Sequence, residues 1–350
     1  MRWAGQEISN EAGDPAALPG LDLTGQARLH NLVRSVRRPE FAGITFHEVL
    51  AKSALNHVPK AAGLPFNWTV NPYRGCSHGC VYCFARNTHT YLDLDAGEDF
   101  DQQIIVKINI GDVLARELRR STWTHEPVAL GTNTDPYQRA EGRYRLMPDI
   151  IAALAGSGTP FSILTKGTTA RRDLPLLSVA SSAVPVSMGV SLALTDETIH
   201  AALEPGTPTP RARLELVRAI VEAGLPCQVL VAPILPMITD NDEQLDHVLG
   251  EIAAAGATGA TVFALHLRPG AREWFLRYLH RHHPQLVEAY AELYRNGSYV
   301  TRSYASDLAQ RSAVLLRKHG LNRKDSMLRI PDSQKAAIPP HLALSEPSLF

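Results

Sequence analysis

The chain has 350 residues, with 35 Lys+Arg against 35 Asp+Glu and a formal net charge of zero. Hydrophobic residues make up 45% and charged residues 20%, the balance of a folded globular protein rather than a disordered, collagen-like or disulfide-stapled chain. That neutrality also argues against a strongly basic nucleic-acid binder, although local basic patches survive it.

The segment Met1 to Leu21 carries Glu7, Glu11 and Asp14 and no apolar run, so it does not read as a signal peptide. The longest apolar stretch, near Val229 to Ile238, is interrupted by Pro233 and Pro236 and is too short to span a bilayer. A cytoplasmic location and no membrane partner are expected. In a reducing compartment, clustered cysteines are metal ligands or catalysts more often than disulfides.

In chain order, the first 40 residues read as a polar arm rich in Gly and Pro, followed by a short helix around Phe46 to Leu55. From Phe66 onward, short β-branched runs alternate with helical patterns. The predicted strands are Phe66–Val70, Ile104–Ile108, Val128–Gly131, Phe161–Thr165, Val184–Val190, Gln228–Ala232 and Thr261–Leu265. Thr209 followed by Pro210 predicts a helix start, with Leu214, Val217 and Val221 as its apolar stripe and Gly224 as its stop. Thr239 is the expected cap of the next helix, whose stripe is Leu245, Val248, Leu249 and Ile252.

Strands alternating with helices of this length mean βαβ units and a parallel sheet, either a barrel or a doubly wound open sheet. After about residue 270 three helices are expected: Arg272 to His280, Leu286 to Arg295 and Asp307 to Lys318. The expected organisation is an arm over 1–55, a barrel over 56–270, a helical extension over 271–330 and a loose tail over 331–350.

The most informative segment is Asn71-Pro-Tyr-Arg-Gly-Cys76-Ser-His-Gly-Cys80-Val-Tyr-Cys83-Phe-Ala-Arg86. Its C-x3-C-x2-C spacing puts three thiols on one loop directly after a predicted strand. Three thiolates suit three corners of a cubane iron–sulfur cluster and leave its fourth iron open for a ligand. Gly75 and Gly79 let such a loop wrap tightly. Zinc is the competing reading, but the second cysteine pair usual for structural zinc is missing. Cys227, His78 or His89 would have to complete a zinc set.

The cluster loop, with Tyr82 before its third cysteine, resembles that of the radical S-adenosylmethionine (radical SAM) superfamily. Asn71 to Cys76, Gly131-Thr-Asn-Thr-Asp-Pro-Tyr-Gln138, Leu164-Thr-Lys166 and Glu204-Pro-Gly are similar to the subgroup related to spore photoproduct lyase. Within it, Cys-Phe-Ala-Arg after the cluster looks like uncharacterised actinobacterial members. The resemblance covers about residues 55 to 320. It implies an α/β fold, a partial (βα)6 TIM-like barrel with a helical C-terminal extension, carrying a [4Fe-4S] cluster and SAM. It also implies reductive cleavage of SAM to a 5′-deoxyadenosyl radical that abstracts hydrogen from a substrate the motifs do not name.

Carried over residue by residue, the resemblance makes Cys76, Cys80 and Cys83 the iron ligands. Tyr82 falls beside the adenine, and Thr132, Asn133, Thr134 and Asp135 near the SAM amino group. Lys166 pairs with the SAM carboxylate, and Ser191 also contacts SAM. An Asx or ST turn is the alternative for the run ending at Asp135. Glu141 and Arg143 are weaker candidates facing the substrate. Arg34, Arg37 and Arg38, or Arg323, Lys324 and Arg329, are candidate phosphate contacts, which keeps nucleic acid open as a substrate. A one-electron donor such as flavodoxin or ferredoxin is the implied partner. The alternatives are a non-redox cysteine–zinc module and a lyase-type enzyme repairing DNA photoproducts. Against the latter, Thr132 stands where those lyases carry a hydrogen-donating cysteine.

Overall fold

The computed structural model describes residues 6–8, 29, 31–59 and 66–323; the tail over 331–350, Lys324, Arg329 and most of the first 28 residues lie outside them. Among the described residues twelve strands occur in chain order: β1 Gln6–Ile8, β2 Leu32–Arg37, β3 Thr45–Val49, β4 Leu55–His57, β5 Trp68–Val70, β6 Tyr73–Arg74, β7 Gln103–Lys107, β8 Val128–Leu130, β9 Phe161–Thr165, β10 Val186–Ser191, β11 Cys227–Ile234 and β12 Gly259–Ala264. They form two sheets.

The larger sheet runs β12-β11-β10-β9-β8-β5-β4, and its first six strands are mutually parallel. Each parallel strand neighbours its successor along this sheet, so the order never reverses. A doubly wound sheet would contain a reversal. β5 and β12 are not paired, and β4 flanks β5 antiparallel, so the six strands make an open arc, a partial (βα)6 barrel.

The intervening helices follow from local chemistry. Thr209 caps the helix Pro210–Glu222 by accepting from Ala212 N at 3.2 Å, and Gly224 at φ 77° closes it. The next helix, Asp242–Ala254, starts later than expected. Asn241 is its cap, accepting from Gln244 N, while the Thr239 hydroxyl accepts from Leu235 N instead. Its buried stripe is Leu245, Val248, Leu249 and Ile252. Three helices follow β12: Ala271–His282, Val287–Leu293 and Arg302–Lys318. No described helix is long and apolar enough to cross a membrane.

Two expectations are corrected. The segment from Phe46 is strand β3, not the start of a helix; all five of its residues are buried, and it pairs with β2 and β7. Its run Thr-Phe-His-Glu-Val is rich in strand formers, and the long-range pairing overrides any local helical reading. The Ile104–Ile108 run is strand β7, but it belongs to the smaller sheet, ordered β1-β2-β3-β7-β6, rather than to the barrel. A continuous apolar run reports burial on both faces, not which sheet supplies it.

Candidate active site

Loops at the C-terminal ends of the parallel strands converge on one open cavity of about 180 Å³. This is the end at which barrels of this kind place function. The cysteine loop lines one part of it; the last residue of β10 and the residues that follow β8 and β9 line another, in contact with that loop.

Cys76, Cys80 and Cys83 all line the cavity. The loop reverses at Gly75 and Gly79, both in the left-handed region (φ 79° and 61°). A Cβ on Gly75 would also lie 2.8 Å from the Phe100 carbonyl, so only glycine fits. Gln138, fully buried, braces the loop from behind: it accepts from Ser77 N at 2.9 Å and donates to the Gly75 carbonyl at 3.1 Å. Burial pushes all three thiols up. Stable thiolates here require a cation among them.

The Cys-Phe-Ala-Arg sequence acquires a physical meaning. Arg86 is completely buried and donates to the Cys80 carbonyl at 2.9 Å and the Gly97 carbonyl at 2.7 Å. It also forks onto Asp101 at 2.8 and 3.0 Å, with its guanidinium between the rings of Phe100 and Trp274. Replacing Arg86 with methionine strands these acceptors and should destabilise the chain by about 3 kcal/mol, the low end for breaking a buried ion pair because Asp101 is partly exposed. Denaturant titration of the metal-free protein measures this, and an unchanged midpoint would reduce Arg86 to filler.

The wall formed by the strand ends follows from strand register. Thr165 pairs with Val190, so Lys166 and Ser191 come next on neighbouring strands at the same level. Lys166 Nζ lies 2.8 Å from Ser191 Oγ, 3.0 Å from Glu204 Oε1 and 3.3 Å from the Tyr82 hydroxyl. Gly131 must be glycine: a Cβ there would lie 2.0 Å from the Leu164 carbonyl.

The run from Thr132 to Asp135 builds a braced turn. Asp135 accepts from Thr165 Oγ1 (2.5 Å), Tyr137 N (2.8 Å) and Lys166 N (2.6 Å), with His78 Nδ1 at 3.4 Å. Thr134 is buried and donates to the Gly75 carbonyl at 2.6 Å, tying this turn to the cysteine loop. Thr132 and Asn133 reach the cavity wall, both anchored on Asn71 Oδ1.

The other candidates separate from the site. Glu141 is buried away from the cavity, accepting from Tyr73 (2.6 Å), Arg172 (2.8 Å) and the amides of Leu146 and Met147; facing a substrate is corrected to a structural role. Arg143 is exposed beside the Tyr144 ring. Arg34 pairs with Glu48 at 2.8 Å and Arg37 donates to Thr45 at 3.0 Å, which ties both within the smaller sheet. His89 Nε2 meets the Gln103 carbonyl at 2.9 Å, and Cys227 begins β11, at the end away from the cavity. His78, the third residue that could complete a zinc set, lines the cavity with the three cysteines, its Nδ1 3.4 Å from Asp135 Oδ2.

Two residues of the site escaped sequence reasoning. Glu204 and Arg213 are buried, with Arg213 Nη2 2.6 Å from Glu204 Oε2. Glu204-Pro-Gly was visible as a motif, but nothing local ties it to a lysine 38 positions earlier. Arg213 lies within an ordinary amphipathic helix.

Comparison with known proteins agrees with this architecture. The family model of the radical SAM superfamily matches residues 70–252. The chain belongs to the radical SAM superfamily, a family of enzymes that bind a [4Fe-4S] cluster and SAM. It is 59% identical over 341 residues to an uncharacterized protein of Mycobacterium tuberculosis, covering 97% of this chain and 98% of that one. An uncharacterized protein of Acidianus two-tailed virus is 28% identical over 246 residues, covering 67% and 80%. Among solved structures, a spore photoproduct lyase mutant with bound AdoMet and dinucleoside spore photoproduct superposes with TM-score 0.59 at 16% identity, covering 78% of each chain. That likeness is one of fold.

Proposed function

We propose that this protein is a radical SAM enzyme in which Cys76, Cys80 and Cys83 hold the [4Fe-4S] cluster and the strand ends hold SAM. The observation that carries this reading is the meeting, in one cavity, of three thiols on a braced loop with Lys166 and Ser191 at adjacent strand ends. When bound, the cluster and SAM together supply one-electron cleavage of a carbon–sulfur bond and hydrogen abstraction from an unactivated C–H.

The chain's own residues do the rest. The cysteine loop presents three sulfurs while Arg86 and Gln138 keep its backbone from relaxing. Lys166 gives a charge-assisted donor to the carboxylate of SAM in exchange for its long 3.3 Å contact with the Tyr82 hydroxyl, while Ser191 and Glu204 hold the ammonium. Thr132 and Asn133 face the amino-acid end, and Tyr82 packs the floor of the cavity. The apolar barrel interior below excludes water from reactive species. The electron enters from a small one-electron donor such as flavodoxin or ferredoxin. The substrate class is not fixed by these residues.

Anaerobic reconstitution followed by addition of dithionite and SAM tests the reading. Brown protein with about four irons per chain and production of 5′-deoxyadenosine are expected. A colourless protein holding one zinc, or no deoxyadenosine, would overturn it. Deuterium transfer into the deoxyadenosine then screens candidate substrates. Lys166→Ala should leave iron content intact and weaken SAM binding by about tenfold or more, the worth of one hydrogen bond to a charged group. Unchanged SAM affinity would remove Lys166 from the subsite.

A further inference from the structure

We infer that Glu204 is the positioning residue of this site, fixing Lys166 against the cysteine loop so that its ammonium meets the carboxylate end of SAM. The inference rests on the reading of the cavity above. Glu204 follows the short helix Glu197–Leu203 and is completely buried. Its Oε1 accepts from the Tyr82 hydroxyl and from Lys166 Nζ at 3.0 Å. Its Oε2 faces Arg213 Nη2 at 2.6 Å and Thr207 Oγ1 at 3.3 Å.

The charge arithmetic gives these contacts a purpose. Lys166 and Arg213 bring two positive charges and Glu204 one negative, and the Asp135 carboxylate, accepting from Lys166 N at 2.6 Å, supplies the second negative charge of this wall. Arg213 and Glu204 have fully buried side chains, whereas the Lys166 side chain is 12% exposed. Arg213 is also anchored on the Ser191 carbonyl at 2.9 Å, so it cannot turn toward a ligand. Of the two cations, Lys166 is therefore the one presented on the cavity wall. Burial pushes the Glu204 carboxyl up, but Arg213 and Lys166 outweigh burial and hold it well below the ordinary carboxylate range.

The backbone around Glu204 ties the same residue to the cysteine loop. Val81 N donates to the Leu203 carbonyl at 3.0 Å and Gly206 N to the His78 carbonyl at 2.9 Å. A Cβ on Gly206 would sit 2.2 Å from the Ser77 carbonyl, so the two loops lie in direct backbone contact. The Glu204-Pro-Gly segment thus sets the distance between the loop carrying the thiols and the strand end carrying Lys166.

Glu204→Gln isolates the charge. The amide keeps one acceptor oxygen for two cations, and its NH2 repels whichever cation it faces. Arg213, buried and anchored, retains the oxygen, and Lys166, the more exposed cation, is displaced. The test measures dissociation constants of anaerobically reconstituted protein for SAM and for 5′-methylthioadenosine, which has the adenosine but no amino-acid end. The variant is expected to keep its iron and its affinity for methylthioadenosine while losing about tenfold or more in SAM affinity. Equal loss of both ligands would mark Glu204 as merely structural, and an unchanged SAM constant would remove it from the site; either result overturns the inference. If the wild-type protein carries iron but binds no SAM, the reading of the cavity fails first, and this inference falls with it. Should Glu204→Gln not fold, Glu204→Asp carries the same comparison: it keeps the anion and is expected to weaken SAM alone, by less.

Discussion

Cys80→Ala is expected to yield a folded chain that retains almost no iron after reconstitution. The substitution removes one sulfur without releasing the backbone that carries it. The Cys80 carbonyl remains clasped by Arg86 through two donors at 2.9 and 3.3 Å and still accepts from Cys83 N at 3.2 Å. What disappears is one of three thiols facing the cavity, and two thiolates do not hold a cubane cluster against exchange and oxidation. Iron and sulfide analysis measures the loss, and the visible absorbance of the cluster should vanish with it. Full iron content with normal SAM cleavage would remove Cys80 from the ligand set. The contrast with Lys166→Ala is informative, because that variant should keep its iron and lose only SAM affinity.

The barrel was legible in the sequence because each of its strands is a short β-branched run bounded by turn chemistry. The Phe161–Thr165 strand appears where expected, and the Thr209 cap with Pro210 fixes its helix to the residue. The smaller sheet was not legible, for a physical reason. β3 is paired in parallel with β7, 58 positions later at Thr45 and Gln103, and nothing in either run announces the other. Long-range pairing supplies the burial of His47, Glu48 and Thr45, whose local sequence reads as polar. Their polar groups are satisfied across strands, as in the contact of His47 with Ser35 at 2.7 Å and with Gln103 at 2.9 Å.

The candidate site divides along the same line. The cysteines were readable because their chemistry is carried by spacing within eight positions. Lys166 and Ser191 were readable because strand-end position is itself a functional address in this fold. Glu204 and Arg213 were not assigned, because their role is to neutralise and position other residues across separate loops. The Asp135 run shows the limit from the other side. Its composition fits both a ligand site and a turn, and the structure shows features of both: Asp135 and Thr134 make the side-chain bonds of a turn and also line the cavity.

Reconstituted protein is expected not to repair spore photoproduct with multiple turnover, despite its lyase-like fold. Resemblance to those lyases implies a cysteine at the strand-end position where this chain has Thr132, returning a hydrogen atom to the product radical. Thr132 does stand on the cavity wall, with its hydroxyl 3.4 Å from Asn71 Oδ1. A hydroxyl O–H bond is much stronger than a thiol S–H bond, so threonine cannot make that donation. The chain has four cysteines. Three are the proposed iron ligands, and the fourth, Cys227, begins β11 at the end of the barrel away from the cavity, completely buried. Its thiol is pushed up to about 12 by burial alone, which marks it as a packed apolar side chain. No thiol is thus left at the cavity to quench a product radical. Incubation with dinucleoside spore photoproduct, SAM and dithionite, followed by chromatography of the nucleosides, measures this. Multiple-turnover formation of thymidine pairs would show that hydrogen returns by a route that does not use a cysteine at the Thr132 position.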